Sequence, residues 1–176
     1  MNVRGRRNAS RMHEYENRLA GLYEEYYAKI ARYAYVHIGS KEEAEDIAGE
    51  VFLKALNSLK SYRERSVPMQ SWLFRIAHNL TVDYLRKMDK RRTVPIDSVV
   101  LLGQDDPADT ADKNIEFERV TEAMKQLTSE QRDVIDLRFF GGFTSKEVGG
   151  ILGKSDGAVR EMQRAAIEKL RGVMGV

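Results

Sequence analysis

The chain has 176 residues, 42% of them hydrophobic and 32% charged, with a formal net charge of +2 and a pI of about 8.8. That balance fits one or two small globular domains and argues against a chain disordered throughout, while the net charge is too small to signal a nucleic-acid partner by itself. With no cysteine, disulfides, thiolate metal sites and thiol nucleophiles are excluded, in keeping with a reducing cytosol.

Residues 1–18 carry basic side chains with no apolar segment behind them, so they read as a solvated basic tail. Neither a signal peptide nor a membrane anchor is expected. From residue 19 the apolar spacing is helical. Ser40 with Glu43 has the form of a capping box. Behind it Ala44, Ile47, Ala48, Val51, Phe52 and Ala55 fall on one helix face, leaving Glu45, Asp46, Glu50 and Lys54 outward. The next helix, within "MQSWLFRIAHNLTVDYLRK", buries Leu73, Ile76, Ala77, Leu80 and Tyr84. Arg75, Asn79 and Arg86 then converge on its opposite side. Lys90, Arg91 and Arg92 follow, making one end of this domain strongly positive, as a phosphate-facing surface requires.

Helical periodicity stops between about Lys90 and Lys113, where "TVPIDSVVLLGQDDPADTADK" carries two prolines and a run of aspartates. The expected organisation is therefore all-α: a tail over 1–18, a helical domain over 19–89, a linker over 90–113 and a second helical domain over 114–176. In the second domain Thr128 with Gln131 and Thr144 with Glu147 form two more capping boxes. Val148, Ile151 and Leu152 face inward, Gly153 ends their helix, and Ser155 caps the next. That is helix-turn-helix punctuation. In the last helix Val159, Met162, Ala166, Ile167 and Leu170 form the core stripe. Arg160, Arg164 and Arg171 lie on the far side, flanked by Glu161 and Glu168. Gly157 near the helix start lets the backbone approach a partner closely, and the arginines suit phosphates and guanine edges. Ordinary i, i+4 charge pairing on a solvated face accounts for the same residues, and on spacing alone both readings stand.

In combination, "EEAEDIAGEVFLKAL", "SWLFRIAHNLTVDYLRK" and "LTSEQRDVIDLRFFGGFTSKEVGGILGKSDGAVREMQRAAIEKLR" resemble a bacterial extracytoplasmic-function (ECF) sigma factor of the sigma-70 family, from about Leu22 to Arg171. The resemblance implies that residues 19–89 are the region 2 domain and residues 114–176 the region 4 domain. It implies that Asp46 and Glu50 contact core RNA polymerase. It places Arg75, Asn79 and Arg86, with Tyr62 and Trp72 as stacking candidates, at the minus-ten element; either aromatic fits a core position equally well. Ser155, Gly157, Arg160, Glu161, Arg164 and Arg171 fall at the minus-thirty-five element. Implied partners are core RNA polymerase, promoter DNA and an anti-sigma factor, in the bacterial cytoplasm and at the nucleoid, with no membrane insertion, small-molecule substrate or cofactor.

Departures from the family text are Gly49, where a polymerase-contacting glutamine is common, and "KEVGGIL" for "KEIAEIL". Glu161 and Ala165 stand where a small polar residue and an arginine are usual. Enzyme readings lack support: His13, His37 and His78 have no metal-ligand spacing, no phosphate loop is present, and no catalytic constellation is visible. The competing binder is a stand-alone helix-turn-helix regulator that binds a palindrome as a dimer.

Overall fold

The computed structural model describes residues 3–63, 67–92, 119–120 and 122–175. Of the expected linker over 90–113, residues 93–113 lie outside the described residues, as does the start of the second domain over 114–118. Helix α1 spans Val3–Ile38, α2 Lys41–Ser58 and α3 Met69–Arg92, with a 3₁₀ turn at Leu59–Ser61 after α2. In the second lobe α4 spans Ser129–Ile135, α5 Ser145–Leu152 and α6 Asp156–Met174; helical residues 122–125 precede α4. Among the described residues there is no strand.

The expected apolar stripe of α2 is buried in full: Ala44, Ile47, Ala48, Val51, Phe52 and Ala55 all face α1 and α3. Its entry is set by Gly39, whose φ of +79° lets the chain turn out of α1, and by Ser40, whose hydroxyl accepts from the Glu43 amide at 3.4 Å. Only this half of the Ser40 box forms, whereas the Thr128 and Thr144 boxes close in both directions. In α3, Leu73, Ala77 and Leu80 are buried, while Ile76 and Tyr84 pack at the margin.

Two expected boundaries shift. At about 1.5 Å per residue, the 36 residues of α1 make a rod of about 54 Å, so the stretch expected to be a solvated tail is helical from Val3. Met12 and Tyr15 pack on the core, and Tyr15 meets Tyr62 edge-on at 5.3 Å. At the other boundary α3 runs through Lys90 to Arg92, where the linker was expected to begin.

Between α4 and α5 the helix widens into a π turn at Asp136–Phe140, closed by the Gly141 amide donating to the Asp136 carbonyl at 2.9 Å. The widening keeps five successive residues, Asp133 to Leu137, buried, more than one face of a regular helix can hide. Gly141 then has to be glycine: a Cβ there would sit 2.7 Å from the Leu137 carbonyl and 2.8 Å from the Phe143 ring. Gly149 is constrained in the same way, since its Cβ would lie 2.6 Å from the Lys154 carbonyl where the helix-turn-helix folds back on α5.

The two lobes share one core. Val134, Leu137, Phe143, Val148, Ile151 and Val159 join the same buried cluster as Ile30, Tyr33 and Phe74 of the first lobe. Phe74 meets Phe143 edge-on at 5.0 Å, and α5 packs along α3. A second cluster sets Val36 of α1 among Met124, Leu127, Ile135 and Ala166.

Candidate nucleic-acid interface

On α2, Asp46 and Glu50 are exposed, one turn apart, on the face away from the core; Glu50 pairs with Lys54 at 3.4 Å. Beside them Leu53 and Leu56 are 62% and 52% exposed. The sequence reading passed over these two leucines, and the signal was there: each stands on the polar side of an otherwise clean stripe. An acidic rim around exposed leucines is what a helix prepared for a protein partner presents. Gly49 lies between, and a Cβ there would meet nothing within 4 Å, so larger side chains at this position face no steric bar.

The minus-ten candidates separate into four situations. Tyr62 is 4% exposed, its hydroxyl donating to the Val67 carbonyl at 2.9 Å, so it braces the loop before α3 rather than standing open to a base. Its ring lies 4.9 Å from Trp72 at an interplanar angle of 33°. Trp72 and Asn79 come together at one open cavity of about 380 Å³ that Lys54, Asn57, Ser58 and Asp83 also line. It offers an aromatic face with amide and hydroxyl groups. Arg75 leaves this group: its guanidinium donates to the Gly150 carbonyl in the second lobe. Arg86 stays on the surface near Asp83, at 3.4 Å.

In the second lobe the Ser155 hydroxyl accepts from the Ala158 amide at 3.2 Å, starting α6, and Gly157 is exposed with open space around its Cα. Val159 and Ala166 are buried, with Met162, Ile167 and Leu170 half-buried against the rest of the lobe. Arg160, Glu161, Arg164 and Arg171 are exposed on the outer side. Arg160 is paired with Asp156, while Arg164 reaches Glu161 at 2.6 Å and Glu168 at 3.5 Å. The Glu161 hydrogen bond and the charges of Glu161 and Glu168 raise the Arg164 pKa. Helix spacing thus delivers the arginine face and its internal ion pairs together.

Sequence spacing gave no sign of a polar cluster between the lobes. His37 and His78, 41 positions apart, converge on Asp133 of α4. His37 Nε2 lies 3.0 Å and His78 Nδ1 3.6 Å from Asp133 Oδ1, which also accepts from the Tyr33 hydroxyl. Tyr33 in turn sits 2.9 Å from His78 Nδ1. Burial pushes the Asp133 carboxyl up, but His37, His78 and Tyr33 outweigh it and hold it well below the usual carboxylate range. One helical turn on, Asp136 behaves oppositely. Burial pushes its carboxyl up to about 6 despite Arg32, whose Nε is 3.5 Å away but not aligned as a hydrogen bond. Arg32 also lies over the Phe140 ring, 3.1 Å from its centroid. Among the described residues no cluster suits a metal ion, and no helix is long and apolar enough to cross a membrane.

The fold is two-lobed and helical among the described residues, with a helix-turn-helix in the second lobe. The sigma-70 region 2 family model matches residues 22–92 and the sigma-70 region 4 model residues 123–172. The chain belongs to the sigma-70 family, and its relatives place it among the ECF sigma factors. It is 28% identical over 151 residues to the ECF RNA polymerase sigma factor BldN of Streptomyces coelicolor, covering 85% of this chain and 57% of that protein. It is 29% identical over 159 residues to the RNA polymerase sigma factor YlaC of Bacillus subtilis, covering 88% and 91%. In fold it is similar to the sigma factor RpoE of Bartonella quintana, solved in complex with the anti-sigma factor NepR. The TM-score is 0.72 and the identity 20%, with 89% of this chain and 96% of that chain covered.

Proposed function

We propose that this chain binds core RNA polymerase and directs initiation at promoters whose minus-ten and minus-thirty-five elements its two lobes read. The observation that carries this reading is the pairing of region 2 and region 4 in family order, each with an exposed charged face off its apolar stripe. The α2 face, with Asp46 and Glu50 around Leu53 and Leu56, docks on polymerase. The cavity at Trp72 and Asn79, with Arg75 and Arg86 on the same helix, receives unpaired minus-ten bases. An extruded base needs a π face and hydrogen-bonding edges, and a tryptophan beside an asparagine supplies both. Buried Tyr62 supports Trp72 from behind. Helix α6 enters the major groove upstream, with Ser155, Gly157 and Arg160 at its leading end, Glu161 and Arg164 mid-helix, and Arg171 near its end on the backbone.

The protein acts without catalysis of its own, in the bacterial cytoplasm and at the nucleoid, and is held inactive by an anti-sigma factor. A dimeric stand-alone regulator leaves the region 2 lobe and its polymerase face without a task. Run-off transcription from a genomic promoter library tests the reading. Transcripts should appear only when core polymerase and this protein are both present. Dimeric binding to a palindrome without polymerase, and no run-off with it, would sink it.

A further inference from the structure

Helix α1 begins well before the sigma-70 region 2 match, which starts at residue 22, and its early turns build a feature of their own. Leu19 is buried and Met12 and Tyr15 pack on the core, so this stretch is held against the 3₁₀ turn that follows α2. Between them lies an open cavity of about 430 Å³. Met12, Tyr15 and Leu59 give it an apolar wall, and the exposed side chains of Arg11, Lys60 and Arg63 line it with positive charge.

The electrostatics of this cavity are one-sided. Among the described residues no carboxylate lines it, and no acidic side chain pairs with Arg11, Lys60 or Arg63. Arg11 donates to the Asn8 side-chain oxygen at 3.1 Å, and Arg63 donates to the Lys60 and Tyr62 carbonyls at 2.8 and 2.9 Å. Neutral partners hold a guanidinium in place and leave its charge uncompensated. Arg86, Arg160 and Arg164, by contrast, each sit against a carboxylate. Like charges gathered without a counter-charge repel one another, and an anion seated among them relieves the repulsion.

The surroundings indicate which kind of anion. Tyr15 meets Tyr62 edge-on at 5.3 Å, and Tyr62 lies 4.9 Å from Trp72, so one aromatic run leads from this cavity to the one at Trp72 and Asn79. The two cavities flank the same turn: Ser58 lines one, and Leu59, next in sequence, lines the other. An acidic peptide would use the cations alone. A single nucleic-acid strand, with a phosphate and a base at every step, uses the cations and the apolar wall together.

We propose that this cavity is a second single-strand subsite, which takes a phosphate and its neighbouring base from the strand whose unpaired bases enter the cavity at Trp72. Arg11, Lys60 and Arg63 hold the phosphate, and Met12, Tyr15 and Leu59 form the wall against which the base lies. Its place on the promoter strand rests on the sigma-factor reading; its affinity for single strands does not. Phosphate contacts carry no sequence information, so the subsite adds affinity without adding base preference.

The full chain, titrated with a fluorescent oligothymidylate of about twelve nucleotides at salt concentrations from about 50 to 200 mM, tests the subsite directly. Arg11→Ala and Lys60→Ala, both exposed, are made singly and together, while Arg63 is left to brace the turn. Each substitution should lower the salt slope by about 0.7 and the pair by about 1.4, with unchanged circular dichroism. Lys125→Ala, which removes a charge from the second lobe where it pairs with Glu122, should leave the slope at the parent value. For the place on the promoter, Asn8→Cys in this cysteine-free chain carries a benzophenone. With core polymerase and a promoter recovered by run-off, it should cross-link to the same DNA strand as a benzophenone at Asn57→Cys in the neighbouring cavity. A parent that fails to bind the oligothymidylate at about 50 mM salt, a slope unmoved in the double variant, or an equal fall in Lys125→Ala overturns the subsite. An unmoved slope with weakened binding to core polymerase overturns it in favour of a protein-docking face. Cross-links confined to protein or to the other strand overturn its place on the promoter. If the parent gives no run-off product with core polymerase, the sigma-factor reading falls, while the oligothymidylate slopes still decide the subsite.

Discussion

Replacing Asp136 by asparagine should stabilise the protein at neutral pH, although it removes one partner of an ion pair. Asp136 sits in the π turn with its side chain 3% exposed and faces Arg32, His37 and Tyr33 of α1, with Asp133 one turn away. Burial is the largest influence on its carboxyl, and the misaligned Arg32 at 3.5 Å does not offset it, so the folded pKa rises from 3.8 to about 6. A carboxyl raised in this way favours the packed structure only when it is protonated. Below pH 4 it is neutral in folded and unfolded chains alike, and packing carries no charge penalty. Between about pH 4 and 6 the unfolded chain releases its proton first and the packed structure falls behind; above pH 6 the deficit is constant. Two pKa units at about 1.4 kcal/mol each give about 3 kcal/mol as a ceiling. The asparagine side chain would keep an acceptor for Arg32 and carry no charge. For a chain of this length that ceiling corresponds to a rise in Tm of about 6–12 °C. Thermal melts of parent and variant from pH 4 to 8 check this, since titrations common to both proteins cancel in the difference. The gap should open between pH 4 and 6 in favour of the variant and then stay level. If the parent is instead more stable at pH 7.5, by a margin that grows over the same interval, the Arg32 pair outweighs burial and the reasoning fails. Asp133 does not confuse the window: its carboxyl is held below the usual range, so its contribution is lost only as pH falls below about 4.

Reversing Asp46 and Glu50 to lysine should weaken binding to core polymerase at least tenfold with unchanged circular dichroism, because both residues are exposed and off the buried stripe; gel filtration with purified core enzyme reads it. Arg160→Ala and Arg164→Ala should lower affinity for duplex upstream DNA about tenfold where the arginine grips a base. Where it holds a phosphate they should reduce the salt slope by about one, as titrations between 50 and 200 mM salt would show. Gly149→Ala should destabilise the second lobe by about 1–3 kcal/mol, since its Cβ collides with the Lys154 carbonyl. Gly150→Ala, with open space around it and its carbonyl retained for Arg75, should gain about 0.5–1 kcal/mol. Urea unfolding of the two variants separates these signs.

What the sequence made legible was local. A 3.6-residue period identifies the buried face of α2 without any partner in view, because every member of Ala44 to Ala55 on that stripe sees the same core. The caps at Thr128, Thr144 and Ser155 were legible for the same reason: donor and acceptor lie three residues apart. Contacts made at long range left no comparable trace. His37, His78 and Asp133 fall on three different helices and meet only because α4 docks against α1 and α3. Tyr62 and Trp72 were both candidates for stacking through the family resemblance, and both equally for the core. Only the loop's path separates them, burying Tyr62 and leaving Trp72 at the cavity. The glycines of "KEVGGIL" look alike as text, yet Gly149 touches the folded-back turn and Gly150 faces space.

Of the five arginines proposed to face DNA on α3 and α6, four share one property that bears on how a mildly basic chain can be selective. Arg75 is engaged with a carbonyl of the second lobe, Arg86 with Asp83, Arg160 with Asp156, and Arg164 with Glu161 and Glu168. Each must exchange a partner within the protein for one on DNA, so little of its charge is spare for indiscriminate phosphate binding, the term that dominates non-specific affinity. The exposed pairs on α6 exchange easily, since surface ion pairs contribute little. Arg75 is exposed too, and its partner lies in the second lobe. Either lobe alone is therefore a weak reader. Substantial affinity requires both to be presented at once on the same promoter, where the second contact forms at the high effective concentration that the first creates.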